Sequence, residues 1–197
     1  MGTPVRVPDT VDRIQRSALE LFSRQGYERT SLRQIADELG FSKAALYYHY
    51  RSKEDLLAAV LEPLLVDLEA VVPDRADADR EQFLAGYLEV LLRHRPLLRY
   101  LVNDAAAIVN SGLAPRLARI RAAQVELVGG AAPSLEERMR SAAALGALQS
   151  AILVVEDGDD ELEVRANALA AVHRILLRDR DRSARPPGGK SALATDP

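Results

Sequence analysis

The chain of 197 residues has no cysteine and no tryptophan. The first absence excludes disulfide frameworks, thiolate nucleophiles, iron–sulfur ligation and thiolate zinc sites, and it suits a reducing compartment, so a cytoplasmic location is expected. Long apolar runs are missing as well. The longest uncharged stretch, Ser141 to Val155, holds 15 residues and includes Ser and Gln, short of the roughly 18 a membrane span requires. It reads as a buried helix. Met1 to Arg13 has no apolar segment of secretory type, and Arg6 stands where a myristoylation signal wants Ser or Thr, so no export, anchoring or membrane partner is expected.

Sites for chemistry are also scarce. The three histidines, His49, His94 and His173, have no partner at zinc spacing. Gly189-Lys190-Ser191 resembles the end of a phosphate loop, but Ala184 replaces the glycine required earlier and no strand precedes it. The acids between Glu156 and Glu163 lack the spacing of a calcium loop and suit the dipole at the start of a helix. No nucleophile with its base, no paired carboxylates and no cofactor loop can be pointed to. An enzyme, a metal and a cofactor are therefore not expected.

What is present is hydrophobic, at 48%, and charged, at 28%, the composition of a globular chain long enough to bury a core. The formal net charge of −3 argues against a uniformly basic coat, but recognition depends on how charge is spread over a face. That spread is uneven. No acid lies between Leu39 and Lys53, a window that holds Lys43, His49, Arg51 and Lys53. Of nine aromatics, six fall between Phe22 and Tyr50.

Hydrophobic periodicity predicts helix after helix, and no segment alternates with period two. Val11, Ile14, Ala18, Leu21 and Phe22 form one stripe ending at Gly26. Ser31 with Gln34 makes a capping box for a short helix whose apolar positions are Leu32, Ile35, Ala36 and Leu39, and Gly40 ends it. Ser42 caps a third helix, Lys43 to about His49. Ser52 opens a long fourth helix to about Val72, with a kink or break expected at Pro63. A fifth helix stops before Pro96, a sixth runs from about Leu97 to Val109, and a seventh spans Ala114 to Val128. The capping box Ser134–Glu137 opens the eighth helix, and a ninth carries Val164, Ala168, Ala171, Val172, Ile175 and Leu176. The expectation is an all-α fold of about nine helices: residues 1–55 as a compact three-helix unit, 56–178 as a larger helical domain, and 179–197 as a flexible tail.

The spacing within the N-terminal unit has a physical logic. Counting from Leu32, a small residue falls fifth (Ala36), a glycine ninth (Gly40) and an apolar anchor fifteenth (Leu46). Two steeply crossed helices need a small residue where their backbones approach, a residue tolerant of positive φ in the turn, and an anchor returning from the second helix. That is a helix-turn-helix, and its acid-free second helix suits the major groove. A helical hairpin with a solvated basic face fits the same spacing.

The ordered run Ala18-x-x-Leu21-Phe22, Gly26-Tyr27, Thr30-Ser31-Leu32-x-x-Ile35-Ala36, Leu39-Gly40-Phe41-Ser42-Lys43, Leu46-Tyr47-Tyr48-His49-Tyr50-x-Ser52-Lys53-Glu54-x-Leu56 resembles the DNA-binding domain of tetracycline-repressor-like (TetR) regulators, over about residues 10 to 57. Ala44 departs from the glycine many members carry. The resemblance implies that residues 1–55 are the DNA-binding domain and 56–178 the effector-binding and dimerisation domain of a repressor that binds a palindromic double-stranded DNA operator as a homodimer and is released by a small-molecule effector. It implies that Ser31 and the helix it caps meet a phosphate, that Arg33 reaches backbone or base, and that Ser42, Lys43, Ala44 and Ala45 stand at the base edges. Tyr47, His49 and Lys53 are then phosphate contacts, Leu46 and Tyr50 belong to the small core, and Tyr48 either packs or enters the groove.

For the remainder, the small-residue helix from Ser141 and the striped ninth helix suit a two-fold interface with a second copy, or burial within one chain. Phe83, Tyr87, Tyr100, Asn103, Asp104 and Gln149 stand out in a segment otherwise rich in Leu, Val and Ala and are candidates for an effector pocket. Arg93, His94, Arg95 and Arg99 bind an anion or act as cations at a helix C-terminus. A helical ligand-binding or protein-interaction module that does not bind DNA is the alternative to a regulator.

Overall fold

The computed structural model describes residues 9–73, 79–104, 109 and 111–177. Among these residues there are nine helices and no strand: α1 (Thr10–Gln25), α2 (Leu32–Leu39), α3 (Lys43–His49), α4 (Lys53–Ala70), α5 (Arg80–Arg93), α6 (Arg95–Asn103), α7 (Ala114–Gly129), α8 (Leu135–Leu153) and α9 (Glu161–Leu177). The expected tail at 179–197 lies outside the described residues. So does the segment 105–108, over which the sixth helix was expected to continue; α6 ends at Asn103.

The helix starts follow the local chemistry. Asp9 caps α1 by accepting from the Val11 N–H at 2.8 Å, and Ser52 caps α4 by accepting from Asp55 at 3.0 Å. Each satisfies a backbone donor that the helix leaves orphaned. Both predicted capping boxes form, Ser31 with Gln34 and Ser134 with Glu137. Pro96 stands in the first turn of α6, where its missing N–H costs nothing.

The expected break at Pro63 does not occur. The α4 helix runs unbroken from Lys53 to Ala70, with Pro63 on the exposed face between the buried Leu61 and Leu64. The carbonyl that loses its N–H partner there is free to turn toward water, while the buried leucines hold the helix. This continuity matters because α4 is the element shared by both halves. Its first turn buries Leu56 and Leu57 below the N-terminal helices, and its second half buries Leu61, Leu64, Leu65 and Leu68 in the larger half.

One hydrophobic core runs from Ile14 to Val172. In the N-terminal unit α1 packs on α2 and on α4, and α2 on α3. In the larger half α8 is the hub, packed against α5, α6, α7 and α9, while α4 packs on α5 and α7. Ion pairs tie the helix exteriors together: Arg116 of α7 reaches Glu62 and Glu69 of α4 at 2.7 Å each, and Arg165 of α9 reaches Glu89 of α5 at 2.6 Å.

Candidate functional site

The turn between α2 and α3 is closed by backbone geometry that the sequence requires. Gly40 is left-handed (φ 68°, ψ 25°), and the Phe41 N–H returns to the Ala36 carbonyl at 2.9 Å. An L side chain at Gly40 is strained even where there is room for it. Ser42 then starts α3, its hydroxyl accepting from the Ala45 N–H at 3.1 Å.

Within α3 only Leu46 is buried, at 0% exposure. Lys43, Ala44, Ala45, Tyr47, Tyr48 and His49 all face outward. The helix is therefore held by one apolar anchor, supplemented by Tyr50 just beyond it, whose hydroxyl accepts from Gln15 of α1 at 3.0 Å. Tyr48 resolves to the surface: it is 86% exposed, and its ring lies 5.4 Å from that of His49, edge to face. The Lys43 ammonium lies 5.4 Å from the Tyr47 ring centroid, which keeps its charge on the outer face. Arg33 is exposed and lies 3.8 Å from Asp37. The Ser31 hydroxyl is turned to its capping box, accepting from the Gln34 N–H at 3.2 Å.

Lys53 is placed differently from the outward residues of α3. Its ammonium donates to the Tyr27 carbonyl at 2.8 Å and to the Glu28 carbonyl at 3.4 Å, and it lies 4.1 Å from the Tyr27 ring centroid. The Tyr27 N–H in turn donates to the Asp104 carboxylate at 3.0 Å. One residue of the α1–α2 loop is thus gripped on its carbonyl by Lys53 and on its N–H by Asp104 at the end of α6. The Tyr27 hydroxyl donates to Glu54 at 3.1 Å, and burial, reinforced by that carboxylate, raises its pKa well above the ordinary tyrosine range. Phe22 links the same loop to α6, its ring 5.3 Å from Tyr27 and 6.0 Å from Tyr100.

The six residues considered for an effector pocket do not surround one space. Tyr100, Asn103 and Asp104 stand along a cleft between α6 and the end of α1. Phe83 and Tyr87 are buried against each other in the core, rings 5.8 Å apart. Gln149 alone lines an apolar cavity of about 240 Å³. The rest of that lining is hydrocarbon: Leu61, Leu64, Leu65 and Leu68 of α4, Leu98, Leu101 and Val102 of α6, with Leu91, Leu117 and Leu153. Sequence reasoning missed these residues because leucines on five helices are indistinguishable from ordinary core. The only available signal was the density of leucine in α4. Behind Gln149, its amide nitrogen donates to the Tyr87 hydroxyl at 2.7 Å, and burial raises the Tyr87 pKa above its ordinary value, keeping the proton in place.

Of the cation cluster, Arg93 and His94 both reach Asp67 of α4 at 2.8 Å, and these hydrogen bonds hold the Asp67 carboxyl below its ordinary pKa, His94 contributing most. Arg95 and Arg99 both donate to the Val155 carbonyl just past α8, at 3.2 and 3.1 Å. Arg95 and Arg99 thus meet a carbonyl just past a distant helix, while Arg93 and His94 meet a carboxylate of α4 and Arg95 also meets that of Asp157. Asp160 accepts from the Glu163 N–H at 2.9 Å, the capping role expected of the acids before the last helix.

A capped three-helix unit with a single-anchor helix held outward, set on a larger helical bundle, defines a helix-turn-helix protein. Residues 14–60 match the family model described as bacterial regulatory proteins, tetR family. Tetracycline repressor protein class A from transposon 1721 of Escherichia coli is 33% identical over 120 residues, covering 61% of this chain and 52% of that protein. The class C repressor of Escherichia coli is 34% identical over 112 residues, covering 57% of this chain and 49% of its own. The chain therefore spans about half the length of the curated relatives it matches. Among solved structures, a transcriptional regulator from Aquifex aeolicus superposes with a TM-score of 0.67 at 22% identity, covering 85% of this chain and 99% of its own. A TetR-like regulator from Rhodococcus gives 0.64 at 25% identity, covering 91% and 100%. Residues 14–60 thus carry the domain of the tetR family of bacterial regulatory proteins, and the described residues share the fold of solved regulators of that kind.

Proposed function

We propose that this regulator is a repressor that binds a palindromic DNA operator as a homodimer and is released when a small molecule enters the larger domain. The observation that carries the reading is α3: six of its seven residues face outward on an acid-free surface, anchored by Leu46 alone. An α-helix fits the B-DNA major groove, where each base pair shows a distinct pattern of donors and acceptors. Lys43 offers donors to guanine, Ala44 and Ala45 offer methyl surface to thymine, and Ser42 stands at the same end of the helix. Tyr47, Tyr48 and His49 flank the duplex, and Ser31 with Arg33 meets the phosphates at the start of α2. Lys53 has three protons and directs two at carbonyls, which leaves one for a phosphate while it braces the loop.

The dimer reading is supported by exposed apolar side chains on the last two helices, Leu135 and Met139 on α8 and Leu162 and Leu177 on α9. Pairing these faces between two copies buries them and sets two α3 helices apart, at about one DNA turn (roughly 34 Å) in an operator with adjacent half-sites. Such an assembly works in the cytoplasm. The effector reading is supported by the cavity against α4, the helix that begins directly after α3. A ligand releases DNA only if it binds better to a state in which the spacing no longer fits.

Selecting bound duplexes from a random pool tests this reading. The expected product is an inverted repeat whose half-sites are centred about one helical turn apart. Recovery of single, unrepeated sites removes the dimer, and recovery of nothing at low ionic strength removes DNA binding.

A further inference from the structure

The cavity beside α4 has a chemistry of its own. Ten of its eleven lining residues are Leu or Val, and the exception is Gln149. That amide sits in a directed chain of donors. Arg121 donates to the Gln149 oxygen at 3.4 Å and to the Ala142 carbonyl at 3.3 Å, and the Gln149 nitrogen donates to the Tyr87 hydroxyl at 2.7 Å. Arg121 has no carboxylate partner among the described residues, whereas Arg116 and Arg165 have two each. Every link of the chain points its proton the same way, so each polarises the next. At the cavity itself what remains unspent is the second N–H of Gln149, since neither Tyr87 nor Arg121 belongs to its lining. The opposite amide orientation sets the Gln149 nitrogen against the Arg121 guanidinium, two donors facing each other, which excludes it.

We infer that the effector is a small, uncharged, hydrocarbon-rich molecule carrying one oxygen acceptor, a ketone, aldehyde, ester or lactone, whose body lies among the leucines and whose oxygen meets Gln149. This rests on the reading of the cavity as the effector site. Its volume of about 240 Å³ admits roughly eight non-hydrogen groups, at the approximately 30 Å³ a water-sized group occupies in a liquid. A carboxylate fits poorly: the lining offers it one neutral donor, Gln149, and Arg121 is not part of that lining, so the charge stays incompletely paired among leucines, which is costly. A cationic head meets only donors.

Calorimetric titration of the full chain without DNA, using methyl hexyl ketone and octanoate, separates these chemistries. The ketone binds at least tenfold more tightly than octanoate. Gln149→Leu weakens the ketone roughly fivefold to tenfold, yet leaves the thermal stabilisation by n-octane unchanged, which shows that the variant keeps its fold and its cavity. Equal or tighter binding of octanoate overturns the inference, as does the absence of ketone binding to chain that circular dichroism shows to be folded. Release of duplex is read separately. Ketone binding without release leaves the ligand class standing and removes the regulatory reading. Octanoate binding with release does the reverse.

Discussion

The two halves of the molecule both cap their helices locally but differ in the reach of their longer polar links, 35 residues from Gln15 to Tyr50 in the N-terminal unit and 76 from Arg165 to Glu89 in the larger half. In the N-terminal unit Ser31, Ser42 and Ser52 each bond a backbone N–H three residues on. In the larger half Arg116 reaches Glu69 across 47 residues, Gln149 reaches Tyr87 across 62 and Arg165 reaches Glu89 across 76. The first half is shaped by short-range rules and presents a helix outward. The second is a set of helices strapped together from a distance around a leucine-lined space. The two meet at Tyr27, held by Lys53 on one side and by Asp104, 77 residues on, at the other.

The largest effect is expected where the short-range half has its one anchor. Leu46→Ala should cost about 2–5 kcal/mol, the range for truncating a fully buried leucine, read as the shift in urea midpoint, and should abolish duplex binding. The junction comes next. Asp104→Ala leaves the Tyr27 N–H without its acceptor and should cost about 1–3 kcal/mol, while Asp104→Asn, which keeps an oxygen there, recovers part of it. Lysis of this link is the direct way to ask whether the halves communicate: the variant should bind duplex but respond less to a ligand, measured as the ratio of affinities with and without it. Gly40→Ala places a Cβ on a left-handed residue and should destabilise by about 1–2 kcal/mol, with denaturant unfolding as the readout.

The smallest effect belongs to the surface pairs of the larger half. His94 and Arg93 hold the Asp67 carboxyl below its ordinary pKa of 3.8. A carboxylate depressed in this way stabilises the fold above its unfolded pKa and ceases to do so as the pH falls through the folded one. The gap between wild type and Asp67→Asn should therefore be full at pH 6 and close below about pH 4, in thermal melts at low salt; as a partly exposed pair it amounts to about 1 kcal/mol or less.

The same contrast of range explains what the sequence could disclose. The capping boxes, the left-handed glycine and the Leu32–Ala36–Gly40–Leu46 spacing are local, and the three-helix unit built from them stands where that spacing puts it. Pro63 does not break α4, because buried leucines on either side of it hold the helix together across the lost hydrogen bond. Gln149 was found as a polar residue in an apolar stretch, but Tyr100, Asn103 and Asp104 share that description and belong to a different cleft. No local signal marks Lys53 as a brace for Tyr27, since the contact spans 26 residues and depends on how α4 meets the α1–α2 loop.

The central claim is that α3 enters the groove of a duplex while Lys53 touches its backbone, and the salt dependence of binding tests it most directly. With a selected duplex, the logarithm of the binding constant should fall linearly with the logarithm of salt concentration, by about 0.9 for each phosphate neutralised. Lys53→Ala should make that slope shallower by about one contact and leave the preferred sequence intact, whereas Lys43→Ala should change the preferred sequence. A protein that binds no duplex at low ionic strength, or whose slope and sequence preference ignore both substitutions, contradicts the account.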